Sequence, residues 1–213
     1  STNVANGALY EVDLRLRPEG SSGLPCVTLS GLRKYQQESA WTWEHQALVR
    51  ARPVAGDNAL RNKLEALRLE ILRTPRSSQT LQDDVVAMRL RMYQSAESRL
   101  IGDPDEFDLK RDPGGIVDIE FVVQFLILKH APENLPLALA TDVINLLLAL
   151  EENDLLLAED ADKLRAAYLA YRAEVHRSVL RDQPALGKIA EHAERRRDVA
   201  QIRDRFLPGL PVP

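Results

Sequence analysis

The sequence has one cysteine, Cys26, two methionines, and aromatic residues at only 5%. A lone thiol cannot close an internal disulfide, so the core must hold the fold and a reducing, cytoplasmic setting is expected. No apolar run is long enough to span a bilayer, and the polar start Ser1-Thr2-Asn3 has neither the basic nor the apolar region of a secretory leader. No membrane is expected. Neither sign of charge dominates: 28 Lys and Arg against 32 Asp and Glu leave a net charge of -4, which argues against a protein that coats nucleic acid. Several chemical signatures are missing as well. There is no Cys/His zinc spacing, no Gly-x-Ser-x-Gly, no phosphate loop ending in Gly-Lys-Ser/Thr and no dinucleotide fingerprint, so hydrolase and dehydrogenase readings lose support.

The 213 residues are 45% hydrophobic and 28% charged, a balance that folds without disulfide help and is unlike that of a disordered chain. That length makes one ordinary domain or one and a half small ones. The first residue is not methionine, and the opening reads as a loop feeding a strand, so a piece of a longer protein is expected.

Over Leu9–Arg17, Tyr10, Val12, Leu14 and Leu16 alternate with Glu11, Asp13, Arg15 and Arg17, the period of a strand with one buried and one ionic face. Pro18 ends it, and Gly20-Ser21-Ser22-Gly23 turns the chain toward a second short strand over 24–29. No other strand is expected. On the ionic face, Asp13, Arg15 and Arg17 point the same way at intervals of about 7 Å. A carboxylate and two guanidinium groups so placed suit a divalent metal beside a phosphate, although from this strand alone a solvent-facing ion pair of little energetic value is the readier reading.

Helical spacing takes over from Ser30, an expected N-cap for a helix through Glu38, followed by one from Trp43 to about Arg52. In the latter, the two tryptophans are expected to anchor a core, Arg50 and Arg52 to diverge, and His45 to lie at the surface. Asp57 is placed to cap a helix with Leu60, Leu64, Leu67 and Ile71 as its apolar stripe, and Thr80 with Asp83 to open one whose Val85, Met88 and Met92 face inward. Gly114-Gly115 leads into an apolar helix, Ile116 to His130, buried on most sides; its free N–H groups could receive an anion. Asp118 and Glu120 are about 200° apart on that helix and cannot share one metal. Glu120 and Gln124 share a face and need partners, with Arg50, Arg52 and Arg89 as candidates. Thr141 is expected to cap a helix to Glu152, and Glu159 or Asp160 to start a long one with Leu164, Tyr168, Tyr171, Val175 and Val179 inward. A charged surface helix with Arg195, Arg196 and Arg197 and a frayed end at residues 208–211 complete the chain.

Three stretches stand together in order: Tyr10-Glu11-Val12-Asp13-Leu14-Arg15-Leu16-Arg17-Pro18, Ala40-Trp41-Thr42-Trp43-Glu44-His45-Gln46-Ala47-Leu48 continuing to Arg52, and Asp108-Leu109-Lys110 through Gly114-Gly115-Ile116-Val117-Asp118-Ile119-Glu120-Phe121 to Gln124. They resemble the bacterial glutamine synthetase adenylyltransferase family, from about Tyr10 to Arg181, and the tryptophan stretch is similar to its C-terminal, adenylylating half. The resemblance implies a mainly α (α+β) chain: a truncated piece of a polymerase-beta-like nucleotidyltransferase sheet at 1–57, a helical bundle at 58–182, and a C-terminal helix and tail at 183–213. It implies Mg²⁺ as cofactor, with Asp13 as catalytic metal ligand, and ATP as a substrate; from the strand geometry Arg15 or Arg17 is expected to contact its phosphates, with Lys110 a further nucleotide-binding candidate. Two further carboxylates of that family's site belong to a Gly-Ser closely followed by Asp-x-Asp. This sequence has no such motif, so an inactive fragment is expected. Glutamine synthetase, as protein substrate, and the PII signal protein are the implied partners. The deadenylylating half, or a helical docking module without chemistry, are the alternatives.

Overall fold

The computed structural model describes residues 3–4, 7–8, 16–97 and 103–213. Eight helices make up most of it: α1 Leu29–Glu38, α2 Thr42–Val49, α3 Asn58–Leu72, α4 Ser78–Glu97, α5 Ile116–His130, α6 Val143–Glu152, α7 Ala158–Leu180 and α8 Ile189–Phe206. Two antiparallel two-stranded ribbons accompany them. β1 Asn3–Val4 pairs with β2 Gly7–Ala8, and β3 Glu106–Asp108 pairs with β4 Leu186–Lys188 through Phe107↔Gly187. The expected mainly α class holds. Among the described residues no helix is long and apolar enough to cross a membrane.

The expected strand over 9–17 lies largely outside the described residues; its last two, Leu16 and Arg17, enter a turn whose first bond runs from the Gly20 N–H to the Arg17 carbonyl. The second expected strand, 24–29, does not form. Leu24 and Val27 face solvent and Thr28 caps α1, its hydroxyl accepting from the Gly31 N–H at 3.1 Å. Among the described residues no strand pairs with this segment. The β3–β4 ribbon was unexpected because three residues carry no period.

α5 is the hub. Eleven of its fifteen residues are buried, so it needs cover all round, and α2, α4, α6, α7 and α8 supply it. One continuous core runs from Val49 in α2 to Leu210 beyond α8. Asp57 caps α3 as expected, accepting from the Ala59 and Leu60 N–H groups. The stripe on α3 begins later than its spacing suggests: Leu60 is exposed, while Leu67, Ile71 and Leu72 are buried. Ser77 rather than Thr80 caps α4, and Asp142 rather than Thr141 caps α6. Val179, expected inward on α7, is exposed because the helix has outrun its neighbours by its last turn.

The end of the chain is docked, not frayed. Leu210 is buried, and the carbonyls of Leu210 and Pro211 accept hydrogen bonds from Arg203 of α8. Arg196, expected at the surface, is buried too: its guanidinium lies 4.2 Å from the Phe107 ring centroid and donates to the Pro113 carbonyl. Long basic side chains thus serve as packing as well as charge.

Candidate functional site

Asp13 and Arg15 lie outside the described residues. Arg17 is half-buried at the start of the turn before α1. Lys110 is exposed on the loop between β3 and α5, where its backbone is fully engaged: its N–H donates to Asp108 Oδ1 at 2.8 Å and its carbonyl accepts from the Val117 N–H at 3.0 Å.

α2 is held by polar groups where an apolar face was expected. Trp41 is exposed and Trp43 only half-buried, while the buried positions are Glu44, Gln46 and Val49. Glu44 reaches back to the Trp41 N–H at 2.9 Å, satisfying one of the free donors of the helix start, and accepts the Tyr35 hydroxyl of α1 at 2.8 Å. Toward α5, Gln46 Nε2 donates to Gln124 Oε1 at 3.2 Å, and one turn on Arg50 pairs with Glu120. Glu120 therefore finds its arginine, as its place on an apolar helix requires, whereas Gln124 finds an amide. Arg52 points elsewhere and is exposed. Tyr168 of α7 closes this seam. Burial pushes its phenol up in pKa, with Arg50 and Glu120 acting on it in opposite directions.

Arg89 serves another carboxylate. Asp118, fully buried in the first turn of α5, accepts four hydrogen bonds. Arg89 Nε at 2.8 Å and the Tyr93 hydroxyl at 2.7 Å reach Oδ1, while Arg203 Nη1 at 2.7 Å and the Gly114 N–H at 2.8 Å reach Oδ2. The Arg89 guanidinium lies 3.7 Å from the Tyr93 ring centroid and donates to the Arg111 carbonyl. Burial alone would lower Arg203, but Asp118 and Asp204 outweigh it and its pKa stands raised; burial and Asp118 likewise hold Tyr93 as a neutral phenol. Both oxygens of Asp118 are saturated by donors, leaving no lone pair directed at a metal. Its role is structural, and the expected divergence of Asp118 and Glu120 is what separates the two ion pairs.

The start of α5 has no N–H to offer a ligand. Gly114 donates to Asp118, Gly115 to the Asp112 carbonyl, Ile116 to that of Leu109 and Val117 to that of Lys110. The anion this helix start receives is its own Asp118. Gly114 adopts φ +80°, and a Cβ there would lie 2.5 Å from the Arg196 carbonyl oxygen, so the close approach of α8 requires glycine.

Beside α2 opens a polar cleft of about 460 Å³, lined in part by Thr42, His45, Arg76, Thr80 and Asp84. His45 is half-buried rather than at the surface. Its Nε2 donates to the Gln36 carbonyl at 2.9 Å, which leaves Nδ1 as the acceptor facing Arg76 Nη2 at 3.4 Å. Burial lowers the His45 pKa, and Arg76 lowers it further; burial brings Arg76 itself down to about 10. Arg76 is occupied, donating to the carbonyls of Ile71, Leu72 and Thr74 that end α3. The cleft can take a polar group, but its cation is already committed to the fold.

Comparison with known proteins places these elements. Residues 1–67 match the family model of glutamate-ammonia ligase adenylyltransferase, and residues 76–201 match that of GlnD PII-uridylyltransferase, so the similarity runs past Arg181 into α8. The bifunctional glutamine synthetase adenylyltransferase/adenylyl-removing enzyme of Mannheimia succiniciproducens is 41% identical over 202 residues, 95% of this chain and 20% of that protein. The enzyme of the same name from Hahella chejuensis is 45% identical over 92% of this chain and 21% of its own length, and that of Pasteurella multocida 44% over 83% and 18%. The chain thus spans about a fifth of the length of the curated relatives it matches. With relatives this similar along nearly all of it, the chain belongs to the family of the bifunctional glutamine synthetase adenylyltransferase/adenylyl-removing enzymes, and its residues 76–201 carry the helical region described by the PII-uridylyltransferase model.

Proposed function

We propose that this chain is part of the enzyme that transfers AMP from ATP to a tyrosine hydroxyl of glutamine synthetase, releasing pyrophosphate, and that it belongs to the adenylylating half. The observation that carries this is the polar seam of α2 and α5. Gln46–Gln124 and Arg50–Glu120 tie the tryptophan stretch to the double-glycine helix, so two of the three stretches that carry the resemblance form one rigid unit. In this reading Asp13 holds Mg²⁺, which would neutralise the triphosphate and steady the departing pyrophosphate. The donor set fits: a carboxylate offers the hard oxygen that Mg²⁺ prefers, while the Arg15 and Arg17 guanidinium groups and the Lys110 ammonium are suited to phosphate oxygens. The remaining carboxylates of such a site are absent from this sequence, and the chain alone is proposed to be inactive.

A second reading, a docking module for glutamine synthetase or the PII protein, is favoured by Trp41, which stands 69% exposed at the start of α2. The deadenylylating half is the third. Asp13→Asn in the full-length enzyme separates them. Loss of ATP-dependent adenylylation with an unchanged circular dichroism spectrum and intact phosphate-dependent removal of AMP is the expected result. Normal adenylylation would refute the assignment, and selective loss of AMP removal would move the chain to the other half.

A further inference from the structure

Where α7, α8 and the β3–β4 ribbon meet, several buried polar atoms have no hydrogen-bond partner: both ring nitrogens of His192, Glu174 Oε2 and Tyr171 Oη. His192 is 5% exposed, held edge-on between the rings of Phe107 and Tyr171 with centroids 5.6 and 5.4 Å away. Gly187 makes room for it, since a Cβ there would lie 3.2 Å from His192 Cδ2. The ring cannot turn away. Its Nε2 stands 2.7 Å from Glu174 Oε2, close enough for an ion pair yet out of line for a hydrogen bond. Glu191, the preceding residue, adds a second carboxylate, and one ligand atom from each of the three lies within 4.8 Å of the others.

We propose that Glu174, Glu191 and His192 bind a divalent transition-metal ion, Zn²⁺ or a close analogue, pinning the first turn of α8 to α7. Two donors facing each other without a proton aligned between them call for a cation, and one imidazole nitrogen with two carboxylate oxygens is a donor set suited to Zn²⁺, Co²⁺ or Ni²⁺; Mg²⁺ prefers oxygen alone. Metal–ligand bonds of about 2.1 Å place neighbouring donors roughly 3.4 Å apart in a tetrahedron. The 2.7 Å pair would therefore open slightly, and any pair near the 4.8 Å limit would draw in. Glu191 is exposed and Glu174 half-buried, which gives the ion a way in from solvent and leaves coordination positions for water. The proposal uses neither Asp13 nor the function proposed above.

The test is titration of the metal-stripped chain with Co²⁺ and with Zn²⁺, followed by visible absorption and calorimetry, with Mg²⁺ as control. A single saturable Co²⁺ site, displaced by Zn²⁺, indifferent to Mg²⁺ and accompanied by a higher Tm, is expected. Glu191→Gln, an exposed position that leaves the fold alone, should weaken binding by at least about tenfold, and Glu174→Gln likewise. Absence of saturable binding would overturn the proposal, leaving a histidine–carboxylate contact in its place. Binding of equal strength in both variants would overturn it too.

Discussion

Asp118→Asn probes the arrangement on which the centre of the molecule depends. The substitution keeps the shape, but it deletes the one buried negative charge between Arg89 and Arg203, both fully buried. It also turns an amide NH₂ toward one pair of donors, either Arg89 and Tyr93 or Arg203 and Gly114. Removing one member of a buried ion pair costs about 3–5 kcal/mol, and each donor left facing another donor adds roughly 1–3 kcal/mol. The upper part of that range rivals the whole stability of an ordinary domain, about 5–15 kcal/mol. Urea unfolding followed by circular dichroism should show the midpoint moving sharply down with the slope unchanged. A control removes the charges together. Asp118→Leu with Arg89→Met and Arg203→Met should regain much of the loss, because no ion is left buried without its partner. A loss below about 1 kcal/mol in the single variant would refute the reasoning, since it would mean the two guanidinium groups find enough compensation in carbonyls and Asp204.

Gly114→Ala should cost about 2–3 kcal/mol from its positive φ and the contact with the Arg196 carbonyl, lowering Tm by roughly 5–10 °C; an unchanged Tm would mean that α8 shifts at no cost. His45 is held below its ordinary pKa of 6.5, so the folded chain takes up that proton less readily than the unfolded one. Its stabilising contribution is therefore full above about pH 6.5 and is lost as pH falls through its folded-state value. Denaturation series at several pH values should show His45→Gln, whose amide can still donate to the Gln36 carbonyl, flattening that decline; a slope identical to that of the unaltered chain would assign the effect to other groups.

Much of the helical framework was legible because its signals are local. An apolar run entered through two glycines fixed both ends of α5, and a carboxylate two residues ahead of Ala59 fixed the start of α3. Caps failed where neighbouring residues compete for the same donors, as with Thr28 and Ser30, or Thr141 and Asp142. The β3–β4 ribbon is too short to show a period, and its pairing joins segments far apart in sequence. The candidate site divided in the same way. That Glu120 needed a partner followed from its place on an apolar helix, and that Asp118 could not share a metal with it followed from helical rotation. That Asp118 would be enclosed by Arg89, Tyr93 and Arg203 did not, since no spacing links three helices. One sign was present: an aspartate, an arginine and another arginine at positions where each helix is otherwise apolar. The buried face of α2 misled in the opposite sense, its tryptophans suggesting a core that Glu44 and Gln46 occupy instead.

Arg89 precedes Asp118 by 29 residues, whereas Arg203 follows it by 85. On the ribosome, then, α4 and α5 emerge together and neutralise each other one for one long before α8 has been made. Arg203 arrives later as a surplus positive charge, but Asp204 comes directly behind it, 2.7 Å from its guanidinium. Around Asp118 each arginine is thus matched as it arrives, so closing this cluster never encloses a net charge.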